Sequence, residues 1–286
     1  MNFAFVILPK AIILKLLTFT LLILFPGSVF FSNKTDELLY SSKTIFHTIG
    51  STQVPIKIEQ YGTQTDLVYI NLHDDEFTSV EATRKLLEKE GGTLIRIENK
   101  GKRNIQFRFG NHWFEMDPNR IFSRQGITEF FKSSSKYYNQ KVVEEVEKLG
   151  QRIIMLFPKD PVCIIALHNN TNGLYSINDY LPGSLRASDA AKVFANPQLD
   201  PDDHFLTTES EIYYLLTKKN YNTILQDNQN CKQDGSLSVH CGNKGIRYVN
   251  LETEHGKTQE YSDMVNDLYE ILSKKMTVKK SSTDSE

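Results

Sequence analysis

The sequence is short of several things, and each shortage removes a class of protein. Only three of the 286 residues are cysteine, too few for the disulfide framework of a small secreted scaffold. The formal net charge is -2, and no long run of lysine and arginine appears, so nothing suggests the basic field that a nucleic-acid partner would need. There is no G-x-S-x-G, which leaves a serine hydrolase without its nucleophile elbow. No internal repeat appears, and no linker divides the chain, so one large α/β domain is the simplest reading of its length. Hydrophobic content of 40% and charged content of 24% are those of an ordinary globular protein.

The cysteines themselves read quietly. Cys163 lies in the apolar run PVCIIAL and is a buried thiol rather than a nucleophile. Cys231 and Cys241 bracket KQDGSLSVH. A hairpin centred on Asp234-Gly235 would bring them within disulfide reach, and two separate thiols are the alternative.

What is present begins with an unusual amino terminus. Lys10 and Lys15 precede the hydrophobic run 16–25, and Pro26, Gly27 and Ser28 follow it. A positive flank, a short apolar core and a small-residue break make a secretory signal. Phe30 and Phe31 are bulky where a cleavage site wants small residues, so an uncleaved membrane anchor is the rival, although the run is short for a full span. Residues 1–31 are therefore expected to be a signal peptide or N-terminal anchor, residues 33–275 an α/β domain, and residues 276–286 a disordered tail. Export follows, with the protein periplasmic, secreted or membrane-anchored.

Along the domain, VPIKIEQYG, DLVYINL and TLIRIEN read as strands, and FTSVEATRKLLEKE between the last two as a helix stopped by Gly91-Gly92. IQFRFGNHWFEMD alternates about Gly110-Asn111 and predicts a hairpin. SKYYNQKVVEEVEKLGQRII is a long amphipathic helix, and VCIIALH a central strand. After a loop-rich region at 169–208 come the helix ESEIYYLLTKK, the strand NTILQ, the segments SLSVHC and IRYVNLE read as strands, and a last helix QEYSDMVNDLYEILSKK. This alternation argues a sheet with helices on its faces.

The chemistry gathers at strand ends. VYINLHDDEFTS runs from a buried strand into His73, Asp74, Asp75 and Glu76, and His168 follows the strand VCIIAL. Ligands of open α/β sheets collect at the carboxyl ends of strands. Two imidazoles and a carboxylate meeting there would leave a fourth position for water, the arrangement of a catalytic zinc site. The bland alternatives are a helix cap at His73 and a loop-satisfying His168. Asp74 and Asp75 are expected to dress the helix start or to orient an imidazole. FEMDPNRIFS places Asn119 beside Arg120, a fork suited to a carboxylate. In YVNLETEHG, Asn250, Glu252 and Glu254 share one face of a strand, and a carboxylate there would serve as general base. Asn169, Asn170 and Tyr175 are candidate pocket contacts or plain turn residues. The acidic loop NPQLDPDDHFLTTE lacks an EF-hand's spacing and reads as a solvated loop.

Taken in this order, His73-x-x-Glu76, Asn119-Arg120, the strand-end His168 and the late-strand Glu252 resemble the zinc carboxypeptidase and aspartoacylase/succinylglutamate desuccinylase superfamily. The resemblance spans roughly residues 70–256. It implies a single-domain α/β fold of the carboxypeptidase kind, with a mixed, mostly parallel sheet of about eight strands between helices. It also implies Zn2+ on His73, Glu76 and His168, a substrate carboxylate on Asn119 and Arg120, and Glu252 as base with Glu254 as fallback. The Arg that polarises the scissile carbonyl would be Arg108, or else Arg124. HDDE and the segment after His168 depart from the usual patterns, so specificity does not carry over. The function expected is an exported zinc hydrolase that cuts an amide bond beside a free carboxylate. It would act as a carboxypeptidase, cell-wall peptides included, or as an N-acyl amino acid deacylase. The alternative is a metal-, peptide- or carbohydrate-binding module without turnover.

Overall fold

The computed structural model describes residues 39–63 and 66–283. The expected signal or anchor at 1–31 lies outside them. Among the described residues no helix is long and apolar enough to cross a membrane.

The chain opens with antiparallel strands β1 (Tyr40–Ile49) and β2 (Thr52–Tyr61). Strand β3 (Leu67–Asn71), helix α1 (Phe77–Glu90) and strand β4 (Gly92–Ile97) then form a β-α-β unit with its two strands parallel. A hairpin of β5 (Ile105–Phe109) and β6 (His112–Met116) stands apart as its own two-stranded sheet, with the turn at the expected Gly110-Asn111. Helices α2 (Arg124–Ser134) and α3 (Gln140–Ile154) lead to β7 (Cys163–Asn170). Next come β8 (Ala190–Phe194), β9 (His204–Thr207), α4 (Ser210–Lys218) and β10 (Thr223–Gln226). Helix α5 (Leu237–Lys244), β11 (Tyr248–Glu254) and α6 (Thr258–Thr283) close the domain.

Nine of these strands form one mixed sheet in the order β1-β2-β4-β3-β7-β11-β9-β10-β8. Its centre, β4-β3-β7-β11, is parallel throughout. That is why β3, β4 and β7 are buried at every residue, since central parallel strands are covered on both faces and read as continuous apolar runs. Alternate side chains feed two cores. Tyr69, Ile165, Leu167, Val249 and Leu251 pack with Leu87 of α1, Ile212 of α4 and Val265 of α6. Val68, Ile70, Ile164, Ala166 and Tyr248 face the other way, onto Ile127 and Phe131 of α2, Val142 and Val146 of α3, and Leu237 of α5. Helix α3 comes so close to the chain beneath it that a Cβ on Gly150 would stand 2.2 Å from the Ile121 carbonyl oxygen.

The structure differs from the sequence reading in four stretches. SLSVHC is the start of α5, not a strand: the Ser236 hydroxyl accepts the Val239 N–H, Leu237 and Cys241 face the core at helical spacing, and Gly245 ends the helix at φ 66°. The hairpin that would have joined Cys231 to Cys241 is therefore absent; Cys231 and Cys241 are free, buried thiols, and Cys163 is buried as well. Residues 169–208 hold β8 and β9 rather than loop alone. β1 and α2 are elements that pattern reading passed over. Helix α6 runs to Thr283.

Candidate active site and metal centre

Register decides what meets at the sheet's carboxyl end. β3 pairs with β7 so that Ile70 lies beside Ala166, and β7 pairs with β11 so that His168 lies beside Glu252. His73 sits two residues past β3, and Glu76 immediately precedes the first turn of α1. Its backbone N–H donates to the His73 carbonyl at 3.1 Å, so the H-x-x-E is a strand-to-helix turn that folds its own ends together.

His73 Nδ1 lies 2.9 Å from Glu76 Oε1, His168 Nδ1 2.9 Å from Glu76 Oε2, and the two Nδ1 atoms 3.2 Å from each other. All three residues are buried. Two imidazole nitrogens and a carboxylate oxygen thus converge on one point, the donor set of a catalytic zinc site with three protein ligands. The other nitrogen of His73, Nε2, is held at 2.8 Å by Asp117 Oδ1, which sets that ring's tautomer and angle. A metal ion fits this set: the donors are of the right type, they already face one another, and one ring is braced from behind. Burial would raise the Glu76 carboxyl, but the charges of His168 and His73 hold it well below the usual range. Burial would lower His73, yet Glu76 and Asp117 lift it to about 9.

Glu252 is the residue that the sequence offered as base. It is buried, lines the same cavity of about 540 Å³ as Glu76 and His168, and accepts from Asn250 Nδ2 at 3.1 Å. Burial pushes its carboxyl up to about 7. Glu254, the fallback, stands one pleat further on. Its carboxylate is 3.0 Å from Lys257 and 3.2 Å from Asn172, at the end of the strand and outside the cavity lining. Glu254, Asp200 and Asp202 form a second acidic group, but the Lys257 ammonium already stands among them, 2.7 Å from Asp200.

The other candidate residues differ in where they stand. Arg108 lies on the exposed face of β5 and donates to Gly110, so it is not in the site. Arg124 is equally remote, bridged to Glu144 and Glu147 on α3. The arginine that does reach the ligand cluster is Arg103, whose Nη1 is 2.6 Å from Glu76 Oε1 and which lines the cavity. Asn119 and Arg120 line the cavity too, but the Asn119 amide oxygen accepts the Leu237 N–H at 3.1 Å, and Arg120 is paired with Asp234 at 2.6 Å. Asn169 lines the cavity, and its amide takes the Ser79 N–H and gives to the Thr253 carbonyl, tying α1 to β11. Asn170 donates to the carbonyls of Tyr175 and Asp202 and so shapes the following loop. Tyr175 does line the cavity, its hydroxyl bonded to that of Tyr180 at 2.7 Å. Asp74 turns away from the histidines to Arg96 and to the N–H groups of Asn99 and Gly101. The orienting carboxylate is Asp117, whose signal was its place at the head of DPNR.

No protein-family model matches the sequence, and no curated protein matches it. Solved structures with a similar chain path include an aspartoacylase family protein from Mesorhizobium loti, 13% identical with a TM-score of 0.42, covering 83% of this chain and 68% of that one. Thrombin activatable fibrinolysis inhibitor is 12% identical with a TM-score of 0.47, covering 83% and 71%. The tripeptide-bound cell shape determinant protein Csd4 from Helicobacter pylori is 12% identical with a TM-score of 0.42, covering 82% and 56%.

Proposed function

We propose that this chain is an exported metallohydrolase, with zinc as its ion, that cleaves an amide or peptide bond beside a free carboxylate. The observation that carries the reading is the convergence of His73, Glu76 and His168 in one cavity with the carboxylate of Glu252. A bound zinc ion would supply Lewis acidity, polarising a carbonyl and acidifying water. His73, Glu76 and His168 would hold it, with Asp117 fixing the His73 ring.

The remaining work falls to the protein's own groups. Glu252, with a carboxyl at about 7, exchanges protons near neutral pH: it takes one from the attacking water and gives it to the leaving amine. The Asn250 amide holds one of its oxygens. Arg103 contacts the ligand cluster with one N–H, and its remaining donors would serve to stabilise a developing oxyanion in the cavity it lines. The cavity, bounded by charged and aromatic side chains, suits a peptide or an N-acyl amino acid. Its amino-terminal run at 16–25 supports a periplasmic, secreted or membrane-anchored location.

The test is turnover of peptides and N-acyl amino acids by the zinc-loaded protein beside its Glu252→Gln variant. Loss of about a thousandfold in kcat with zinc still bound supports the assignment; unchanged kcat would remove Glu252 from the reaction.

A further inference from the structure

The fork expected to receive the substrate carboxylate is already engaged. Arg120 Nη1 lies 2.6 Å from Asp234 Oδ2, and this pair is built in rather than incidental. The loop that carries Asp234 is pinned: the Gly235 carbonyl accepts the Phe122 N–H at 3.0 Å. Gly235 has φ 80°, and a Cβ on Gly126 would stand 2.3 Å from the Gly235 Cα, so the loop lies directly on α2. A carboxylate that took Arg120 would displace Asp234 and leave that charge partly buried without its partner, a costly exchange. The Asn119 oxygen is occupied by Leu237 N–H as well.

Arg186 is in the opposite condition. It lines the same cavity and is half-buried. Its guanidinium stands 5.3 Å from the Tyr175 ring centroid and has no hydrogen bond or ion pair among the described residues. Everything around it is fixed. Its backbone N–H donates to the Asp179 carbonyl and its own carbonyl accepts from Asp189, both at 2.9 Å. The Tyr175 ring beneath is braced by Tyr180 and by His204, whose ring centroid is 5.1 Å away. The nearest acid in sequence, Asp189, accepts the Lys232 N–H at its Oδ1. A planar fork whose N–H donors are taken by no described protein group, standing over an aromatic face, is the geometry that binds a carboxylate with two parallel bonds.

We infer that Arg186, and not Arg120, receives the carboxylate of the ligand; calling that ligand a substrate rests on the hydrolase reading above. Arg120 and Asp234 then act as one neutral wall of the cavity. Lys232, exposed at the rim, lacks a planar fork and an aromatic floor.

The test separates binding from turnover. In a Glu252→Gln background, which prevents cleavage, tri-alanine and its C-terminal amide are titrated calorimetrically into the zinc-loaded protein. The expected result is at least tenfold tighter binding of the free acid, a preference that Arg186→Gln abolishes and Arg120→Gln leaves in place. Arg186→Lys, which keeps charge and loses the fork, should retain only part of it, and thermal unfolding checks that each variant is folded. A preference that survives Arg186→Gln and disappears in Arg120→Gln overturns the inference, as does no preference at all or no binding of the free acid. Cleavage is scored separately in protein with Glu252 intact. If peptides are not cut while the Arg186 result holds, the hydrolase reading fails and the carboxylate site stands.

Discussion

At the residue scale, the site depends on side chains that prepare others. Asp117 touches none of the three donor atoms, yet its bond to His73 Nε2 aims the ring. Asp117→Asn is expected to weaken metal binding by about 10–100-fold, read by competition with a chelator, because braces of this kind contribute at that level. An unchanged affinity would show that packing alone positions the ring. His204 offers a test by pH. It is fully buried beside Tyr175, and burial lowers its pKa to about 4 from an ordinary value of 6.5. The unfolded chain therefore takes up a proton at higher pH than the folded one. The stability this group contributes is complete above pH 6.5 and lost as pH falls from 6.5 toward 4, by about 3 kcal/mol. Urea unfolding at pH 7.5 and 4.5 should show a smaller loss in His204→Gln than in the parent; equal losses would assign the acid sensitivity elsewhere.

At the element scale, the close packing of α3 is testable in one substitution. Gly150→Ala puts a methyl 2.2 Å from the Ile121 carbonyl, so α3 must lift. A loss of about 1–3 kcal/mol in denaturant unfolding is expected, the usual cost of overpacking. A stabilised variant, as the helix propensity of alanine alone would give, would contradict that contact. The elements also show where a sequence can be read and where it cannot. β3, β7 and β11 were legible because their apolar runs have one explanation, burial on both faces. The β5–β6 hairpin was legible from alternation about Gly110. β1 was not, because an edge strand with most residues exposed carries no apolar signature. The start of α5 alternates in S-L-S-V-H-C as a strand would, and only the Ser236 cap and the Leu237–Cys241 spacing betray the helix. For the site, strand ends exposed His73, His168 and Glu252 to inspection. Arg103, Asp117 and Arg186 were hidden, because what places them beside the cavity is tertiary and leaves no local pattern. Arg108 was the nearer guess only in sequence.

At the scale of the whole molecule, the parallel centre of the sheet brings the carboxyl ends of β3, β7 and β11 to one edge, and the donor cluster joins β3 with its following turn to β7. An ion bound there would stabilise the folded chain by mass action, since the unfolded chain cannot assemble the same three donors. Zinc at about 100 times its Kd should add about 2.7 kcal/mol to unfolding stability, and a chelator should remove that increment.

The central claim is that His73, Glu76 and His168 form a metal centre, and its most direct test is elemental analysis of the purified protein beside its His168→Ala variant. The account predicts about one zinc ion per chain in the parent and none in the variant, with both folded. No bound metal in the parent after zinc has been supplied, or the same content in the variant, would contradict it.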